Sequence, residues 1–332
     1  MIAITMGDAN GIGPEIALTA FLKKELPTGA FVVGDASVLE LCLKRLNLDI
    51  NLNRIGKPEE CREDALNVLD LKLLSPEQIA PGTISKDTGA AAAEYVATAT
   101  RMALRGECTS LTTLPINKEA TQLSIPGFSG HTEFIAEICG ETNFTMMLAS
   151  SRLIVTHVST HVAIVEAARR VVRDRVHAVI CLTNDALRGW IHEPRIAVAG
   201  LNPHAGEHGL FGTEDEREIL PAIERARREG ITVSGPEAPD TVFLGAVRGD
   251  YDAVVCMYHD QGHIPMKLLD FEQGVNVTLG LPIIRTSVDH GTAFDIAWQG
   301  RASSASLKAA LDFAERMSGS AQETGSAQNA NI

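Results

Sequence analysis

Short apolar runs alternate with amphipathic helical segments from the start of the chain, and this alternation constrains the fold more than any single motif. Ile2–Met6 reads as a buried strand that breaks into Gly7-Asp8-Ala9-Asn10-Gly11-Ile12-Gly13. Pro14-Glu15 then opens a helix to about Lys24; Pro suits the first helical turn, where its missing N–H is not needed. Phe31–Val33 and Ser37–Leu46 repeat the strand–helix unit. Further strands are expected at Ser110–Pro115, Thr145–Leu148, Leu153–His157, Arg195–Gly200, Thr232–Ser234 and Ala253–Met257. Further helices are expected at Gly89–Arg105, Ala163–Arg188, Glu214–Glu229 and Ser306–Arg316. Such a chain predicts an α/β fold with a largely parallel sheet. Leu52–Ser85 shows no clear period and is read as an irregular excursion. From Ser318 the chain is too polar to pack, and 318–332 is expected to be a disordered tail.

The 332 residues suffice for two domains of ordinary size. A net charge of −13 argues against nonspecific nucleic-acid binding and against an anionic membrane surface. No apolar run reaches the ~18–20 residues that span a bilayer. The N-terminus lacks the basic flank of a secretion signal, so the cytoplasm is the expected compartment. The six cysteines are scattered without a Cys-x-x-Cys pair, which removes thiolate zinc knuckles and thioredoxin-type chemistry. Cys181 and Cys256 lie in apolar runs and read as buried thiols. An acidic chain that binds an anion must concentrate its cations locally, which draws attention to Lys267 and Arg285. Their flanks, Ile-Pro-Met and Leu-Pro-Ile-Ile, place them on semi-buried walls. A cation there is costly unless it meets an anion, which points to a bound anionic partner.

His161, His204 and His259 each follow an apolar strand candidate by a few residues. In a parallel sheet the carboxyl ends of the strands share one edge, so three residues distant in sequence can converge there. Three imidazoles can hold a divalent cation with positions left open, and all-nitrogen ligation favours Zn, Co, Ni or Mn over Mg. A lone His after a strand is more often a turn or hydrogen-bonded core residue, and His157 competes with His161 on spacing alone. The Gly7–Gly13 loop resembles a dinucleotide fingerprint superficially, but its spacing is not G-x-G-x-x-G. A tight loop that shapes a cleft is the plainer reading.

Asp289-His290-Gly291-Thr292-Ala293-Phe294-Asp295-Ile296-Ala297 resembles the loop with which isocitrate and isopropylmalate dehydrogenases hold the adenosine end of NAD(P). Here Phe294 replaces the usual Pro, and Trp298 stands where Gly is usual. Gly adopts positive φ readily and Trp rarely. More specific matches follow in order along the chain: Met6-Gly7-Asp8 with Gly11–Glu15, Gly130–Phe134, Thr160-His161, Leu201–Glu207, Pro239-Asp240-Thr241, Tyr258–Gly262, Gly274–Pro282 and Arg285–Ala293. Over nearly its whole length the chain resembles the 4-hydroxythreonine-4-phosphate dehydrogenase family of pyridoxal phosphate synthesis.

The resemblance implies a two-domain, non-Rossmann fold like that of isopropylmalate dehydrogenase, with the active site in the interdomain cleft. The domains expected are 1–128 with 281–317, carrying the NAD loop, and 129–280, carrying the metal ligands and the dimer contact. It implies a divalent cation (Zn, Co, Ni, Mn or Mg) held by His161, His204 and His259. It implies substrate contacts from His131, Thr132, Lys267, Asn276 and Arg285, and NAD contacts from Asp289, His290, Gly291, Thr292 and Asp295. It also implies a homodimer whose active sites lie at the subunit interface and draw ligands from both chains. The reaction expected is NAD⁺-dependent oxidation of an alcohol β to a carboxylate, followed by loss of CO₂, with Lys267 or Asp240 handling the proton. Where the vitamin B6 enzymes often read His-Asp-Gln-Gly-Leu-Pro, this chain has His263 in place of the Leu. That, with the His157–His161 pair, looks more like the branch that oxidises 4-phospho-D-threonate or 4-phospho-D-erythronate in sugar-acid breakdown. 4-Hydroxy-L-threonine 4-phosphate is the alternative substrate. A metal-dependent hydrolase and a non-catalytic binding protein are the competing classes.

Overall fold

The computed structural model describes residues 1–270 and 273–328, with side chains described to residue 319. Two compact units divide the chain: Met1–Thr142 with Leu281–Ser318, and Asn143–Gly280 with the residues from Gly319 onward. In the first, β1 (Ile2–Thr5) is buried at all four positions, as a parallel strand covered on both faces must be. α1 (Gly13–Leu22) starts on Pro14. Glu15 in its first turn is buried, and its Oε1 accepts from Ala302 N at 2.7 Å. β2 (Phe31–Gly34) and α2 (Ala36–Leu46) follow, α2 closing on Asn47 in the left-handed conformation.

The stretch expected to be irregular holds two strands, β3 (Leu52–Ile55) and β4 (Leu66–Asp70). Asn67 hides them: it is buried within β4 and interrupts the apolar pattern, yet its Oδ1 accepts from Arg62 N at 2.8 Å and Asn53 Nδ2 at 2.9 Å. An amide satisfied internally can occupy a core position. α3 (Lys86–Leu104), β5 (Ser110–Thr113), α4 (Lys118–Gln122) and α5 (His131–Cys139) complete this part of the chain. The unit ends at Thr142 rather than near 128, because α5 buries Ile135 in the first core and packs Phe134 and Cys139 against it.

The second unit opens with an antiparallel pair, β6 (Thr145–Ala149) and β7 (Ile154–His157). The single helix expected over 163–188 is two, α6 (Ile164–Arg169) and α7 (Arg173–Leu187). Val172 between them is extended at φ −122°, a conformation that suits a β-branched residue. β8 (Ile196–Ala199), α8 (Leu220–Arg228), β9 (Val233–Glu237), α9 (Val242–Arg248) and β10 (Ala253–Cys256) follow. The polar stretch after β10 is helical, α10 (His259–Leu269), and β11 (Val275–Leu279) ends the unit.

The chain then returns to the first unit as β12 (Ile284–Val288), and α11 (Ala305–Gln328) follows. The helix passes through the segment expected to be disordered as far as Gln328, while 329–332 lie outside the described residues. Polarity that forbids packing does not forbid a helix, whose hydrogen bonds are internal.

In the first unit the strands run β3-β4-β2-β1-β5-β12, every described pair parallel. In the second the order is β11-β6-β7-β10-β8-β9. There β11–β6 and β6–β7 are antiparallel, and β7–β10, β10–β8 and β8–β9 are parallel. Among the described residues no helix is long and apolar enough to cross a membrane.

Candidate active site

The parallel run β7-β10-β8 puts three carboxyl ends on one edge of the second unit. His157 ends β7, His161 lies four residues beyond it, His259 opens α10 after β10, and His204 lies in the turn after β8. The His161 and His259 rings come within 5.6 Å, centroid to centroid. Thr160, His161, Ile164, Tyr258, His259 and Asp260 help to line a pocket of about 450 Å³, within the usual size of small-ligand sites. Among the described residues, His204 forms no cluster of candidate ligand atoms with His161 and His259. Its ring is instead 6.1 Å from that of Phe211.

The backbone explains the placement of His204. His204, Ala205, Glu207 and His208 all have positive φ, at 53°, 54°, 41° and 56°, a conformation that non-Gly residues adopt only when surroundings enforce it. Buried Asp215 enforces it, accepting from Leu201 N at 2.8 Å and from Asn202 N and Nδ2 at 3.2 and 2.9 Å. The turn therefore holds His204 exposed.

The protonation of the other histidines follows from their partners. Asp260 Oδ1 lies 2.6 Å from His259 Nδ1; a carboxylate accepts, so Nδ1 donates and Nε2 is the nitrogen left to face a ligand. His157 Nδ1 faces the carbonyl of Met146 at 3.2 Å and must donate to it. His263 Nδ1 donates to the His259 carbonyl at 3.0 Å and shares that proton with His157 Nε2 at 3.2 Å. Burial pushes His157 down to about 3 and His263 to about 4, each also disfavoured by its neighbouring imidazoles. His263 stacks on His259 with centroids 3.5 Å apart, so it braces that ring. His157 is fully buried beneath them, which separates its role from that of His161. Imidazoles in this state, with one tautomer fixed by a carboxylate, suit a divalent cation.

Lys267 stands on α10 two turns after His259 and is exposed; its charge helps to depress His263. Asn276 on β11 has a buried Oδ1 without a hydrogen-bond partner among the described residues. Asp240 is exposed in the turn before α9, and no described hydrogen bond links it to the site histidines.

The first unit gathers the remaining substrate candidates. Arg285 on β12 is 2% exposed. Its Nη2 donates to Thr113 Oγ1 at 2.8 Å and its Nη1 to Thr132 Oγ1 at 3.4 Å. Burial lowers its guanidinium to about 10. His131 opens α5, and burial, with the charges of Arg285 and Lys118, holds its imidazole well below the ordinary range. Its Nε2 is buried without a hydrogen-bond partner among the described residues. Lys118 carries no motif of its own in the sequence; a Cβ added to Gly130 would lie 3.6 Å from its Nζ. The available signal was Asn117-Lys118 directly after β5, where Asn117 caps α4 by accepting from Ala120 N at 2.8 Å. Lys118, Arg285 and the first N–H groups of α5 form a ready anion site.

The loop expected to hold NAD belongs to the same unit. Ile12 N donates to Thr292 O at 3.0 Å. A Cβ on Gly11 would meet Thr292 Cβ at 3.0 Å, and one on Gly13 would meet Met6 O at 2.1 Å. The glycines thus serve close backbone packing rather than a dinucleotide fingerprint. His290, Gly291 and Asp295 are exposed, Asp289 and Thr292 half-buried. A side chain on Gly291 would meet nothing, so a ligand can approach its backbone. Trp298 does adopt the left-handed conformation, φ 59°, while its side chain is buried.

Residues 28–314 match the family model described as pyridoxal phosphate biosynthetic protein PdxA. A putative D-threonate 4-phosphate dehydrogenase of Oceanobacillus iheyensis is 47% identical over 318 residues, 94% of this chain and 96% of that protein. A 4-hydroxythreonine-4-phosphate dehydrogenase of Desulfosudis oleivorans is also 47% identical, over 322 residues and 95% of each chain. The crystal structure of a 4-hydroxythreonine-4-phosphate dehydrogenase from Klebsiella pneumoniae superposes with a TM-score of 0.87 at 42% identity, covering 96% of this chain and 99% of that one. With a family model covering most of its length and relatives this similar from end to end, the chain belongs to the PdxA family.

Proposed function

We propose that this protein is an NAD-dependent, metal-assisted dehydrogenase that oxidises and decarboxylates a 4-phosphorylated four-carbon hydroxy acid. The observation that carries this reading is the His161–His259 pair beside its pocket, with Asp260 fixing the His259 tautomer. His161, His259 and His204 would hold the cation. Because His204 stands apart from the pair, we assign it to the site of a second subunit in a homodimer, as the family resemblance implies. When bound, the cation supplies Lewis acidity and NAD⁺ supplies the hydride acceptor.

The residues of the chain do the rest. Arg285, Lys118 and the start of α5 bind the phosphate; a desolvated guanidinium attracts an anion more strongly than a hydrated one. Thr132 and neutral His131 add hydrogen bonds, and Asn276 Oδ1 accepts one from a substrate hydroxyl. Oxidation removes the carbinol C–H as hydride and its O–H as a proton. The β-keto acid then loses CO₂, and the resulting enol takes a proton at carbon. Lys267, on the histidine face of α10, is the residue proposed to carry these protons, with Asp240 the alternative. The Asp289–Asp295 loop would take the adenosine end of NAD.

Relatives named for the D-threonate phosphate and the hydroxythreonine phosphate reactions are equally identical to this chain. His263 favours the sugar-acid phosphates, because it places a polar ring against His259 where the other branch often has a leucine side chain. The test is NADH formation with 4-phospho-D-threonate, 4-phospho-D-erythronate and 4-hydroxy-L-threonine 4-phosphate. Turnover of the last alone overturns the substrate assignment. Metal-dependent hydrolysis without NAD⁺ overturns the dehydrogenase.

A further inference from the structure

We propose a second divalent-metal site, of thiolate, imidazole and carboxylate, made by Cys181, His177 and Glu229. It rests on none of the residues proposed for catalysis. His177 and Cys181 stand four residues apart on α7 and so share one face of that helix. Glu229 is the residue that closes α8. Their ligand atoms already lie together: His177 Nε2 is 2.7 Å from Glu229 Oε2, and Cys181 Sγ is 3.6 Å from the former and 3.9 Å from the latter. Tetrahedral zinc, with bonds of ~2.0–2.3 Å, separates such ligands by roughly 3.3–3.7 Å. Two of the three edges are close to that geometry. The third opens by about half an ångström as the His–Glu hydrogen bond is exchanged for two bonds to the ion.

The surroundings fit. Arg225 Nε donates to the other carboxylate oxygen, Oε1, at 3.1 Å, which holds Glu229 in place and leaves Oε2 on the imidazole side. His177 is buried, Cys181 half-buried and Glu229 exposed, so an ion enters from the Glu229 side and keeps a water as its fourth ligand. Cys181 therefore differs from the buried thiol expected of its apolar run. Binding breaks the Cys181 S–H bond, forms S–metal, and releases that proton to solvent; the proton that His177 Nε2 donates to Glu229 is given up as well, shifting to Nδ1 or to solvent, so that Nε2 can ligate. A set containing sulfur and imidazole selects Zn²⁺ or Co²⁺ over Mg²⁺ or Ca²⁺. The bound ion would staple α7 to the end of α8.

The experiment is titration of the full-length, chelator-stripped protein with Co²⁺ in the absence of NAD⁺. Expected is a near-ultraviolet thiolate-to-cobalt charge-transfer band that vanishes in Cys181→Ser. It should persist in His161→Ala, because the proposed catalytic site has no sulfur ligand. Glu229→Gln, which keeps a hydrogen bond to His177, should weaken the cobalt affinity of this site about tenfold or more. Absence of the band in the unaltered protein reduces the cluster to a His–Glu ion pair and overturns the site, as does a band that survives Cys181→Ser. If Cys181→Ser fails to fold, iodoacetamide labelling of the unaltered chain decides. Zn²⁺ must slow alkylation of Cys181, and an unchanged rate refutes the proposal.

Discussion

The basic group of the first unit and the histidine group of the second are built in opposite ways. Arg285 is almost wholly buried, its guanidinium already held by Thr113 and Thr132. His161 and His204 are exposed and His259 is half-buried. A dry, fixed cation binds an anion with little reorganisation. Exposed imidazoles keep more contact with water, so a ligand must displace that water before it binds. On the proposed function, the difference would give preorganised anion binding to the first unit and a more solvated site to the second.

The largest effect expected is on the histidine side. His259→Ala removes the ligand with the fixed tautomer and should lower kcat by about a thousandfold or more, while phosphate-bearing substrate still protects the protein against thermal unfolding. Loss of that protection would mean the two groups are not separable. Next comes Arg285→Lys, which keeps the charge but not the fork. It should lower kcat/KM by about a hundredfold, mostly through KM; a change confined to kcat would break the assignment of binding to the first unit. Asp260→Asn should weaken metal affinity about tenfold, with kcat restored at saturating metal. A loss that added metal does not restore would move Asp260 into the chemistry.

The smallest effect is on stability. His157 and His263 are held at about 3 and about 4 against an ordinary 6.5. Below pH 6.5 the unfolded chain therefore binds more protons than the folded one, so their contribution is full above that pH and is lost as pH falls toward 4. The unfolding free energy of the metal-free protein, from urea titration, should decline as pH falls, with an added slope of up to about 1.4 kcal/mol per pH unit for each ring. His263→Leu should flatten this acid limb; an unchanged slope would show that the pair is not the sensor.

Legibility in the sequence followed the range of the interaction. β1 and α1 were readable because a buried strand and a Pro-led helix carry local signals. β3 and β4 were not, because Asn67 is acceptable only through partners outside its strand. The shared edge of the three histidine-bearing strands followed from parallel topology. The separation of His204 did not, since Asp215 sets that turn from a distance. The flanks of Arg285 announced its burial, but the same reading failed at Lys267, which is exposed on α10; Lys118 became visible only beside Gly130.

Trp298 carries a consequence for substitution. Its backbone conformation favours glycine, and its indole packs in the first core. Trp298→Gly would relax roughly 1–2 kcal/mol of backbone strain and forfeit about 3–5 kcal/mol of packing. The residue that best suits the backbone here is therefore not the one that best suits the interior, and the interior sets the larger cost.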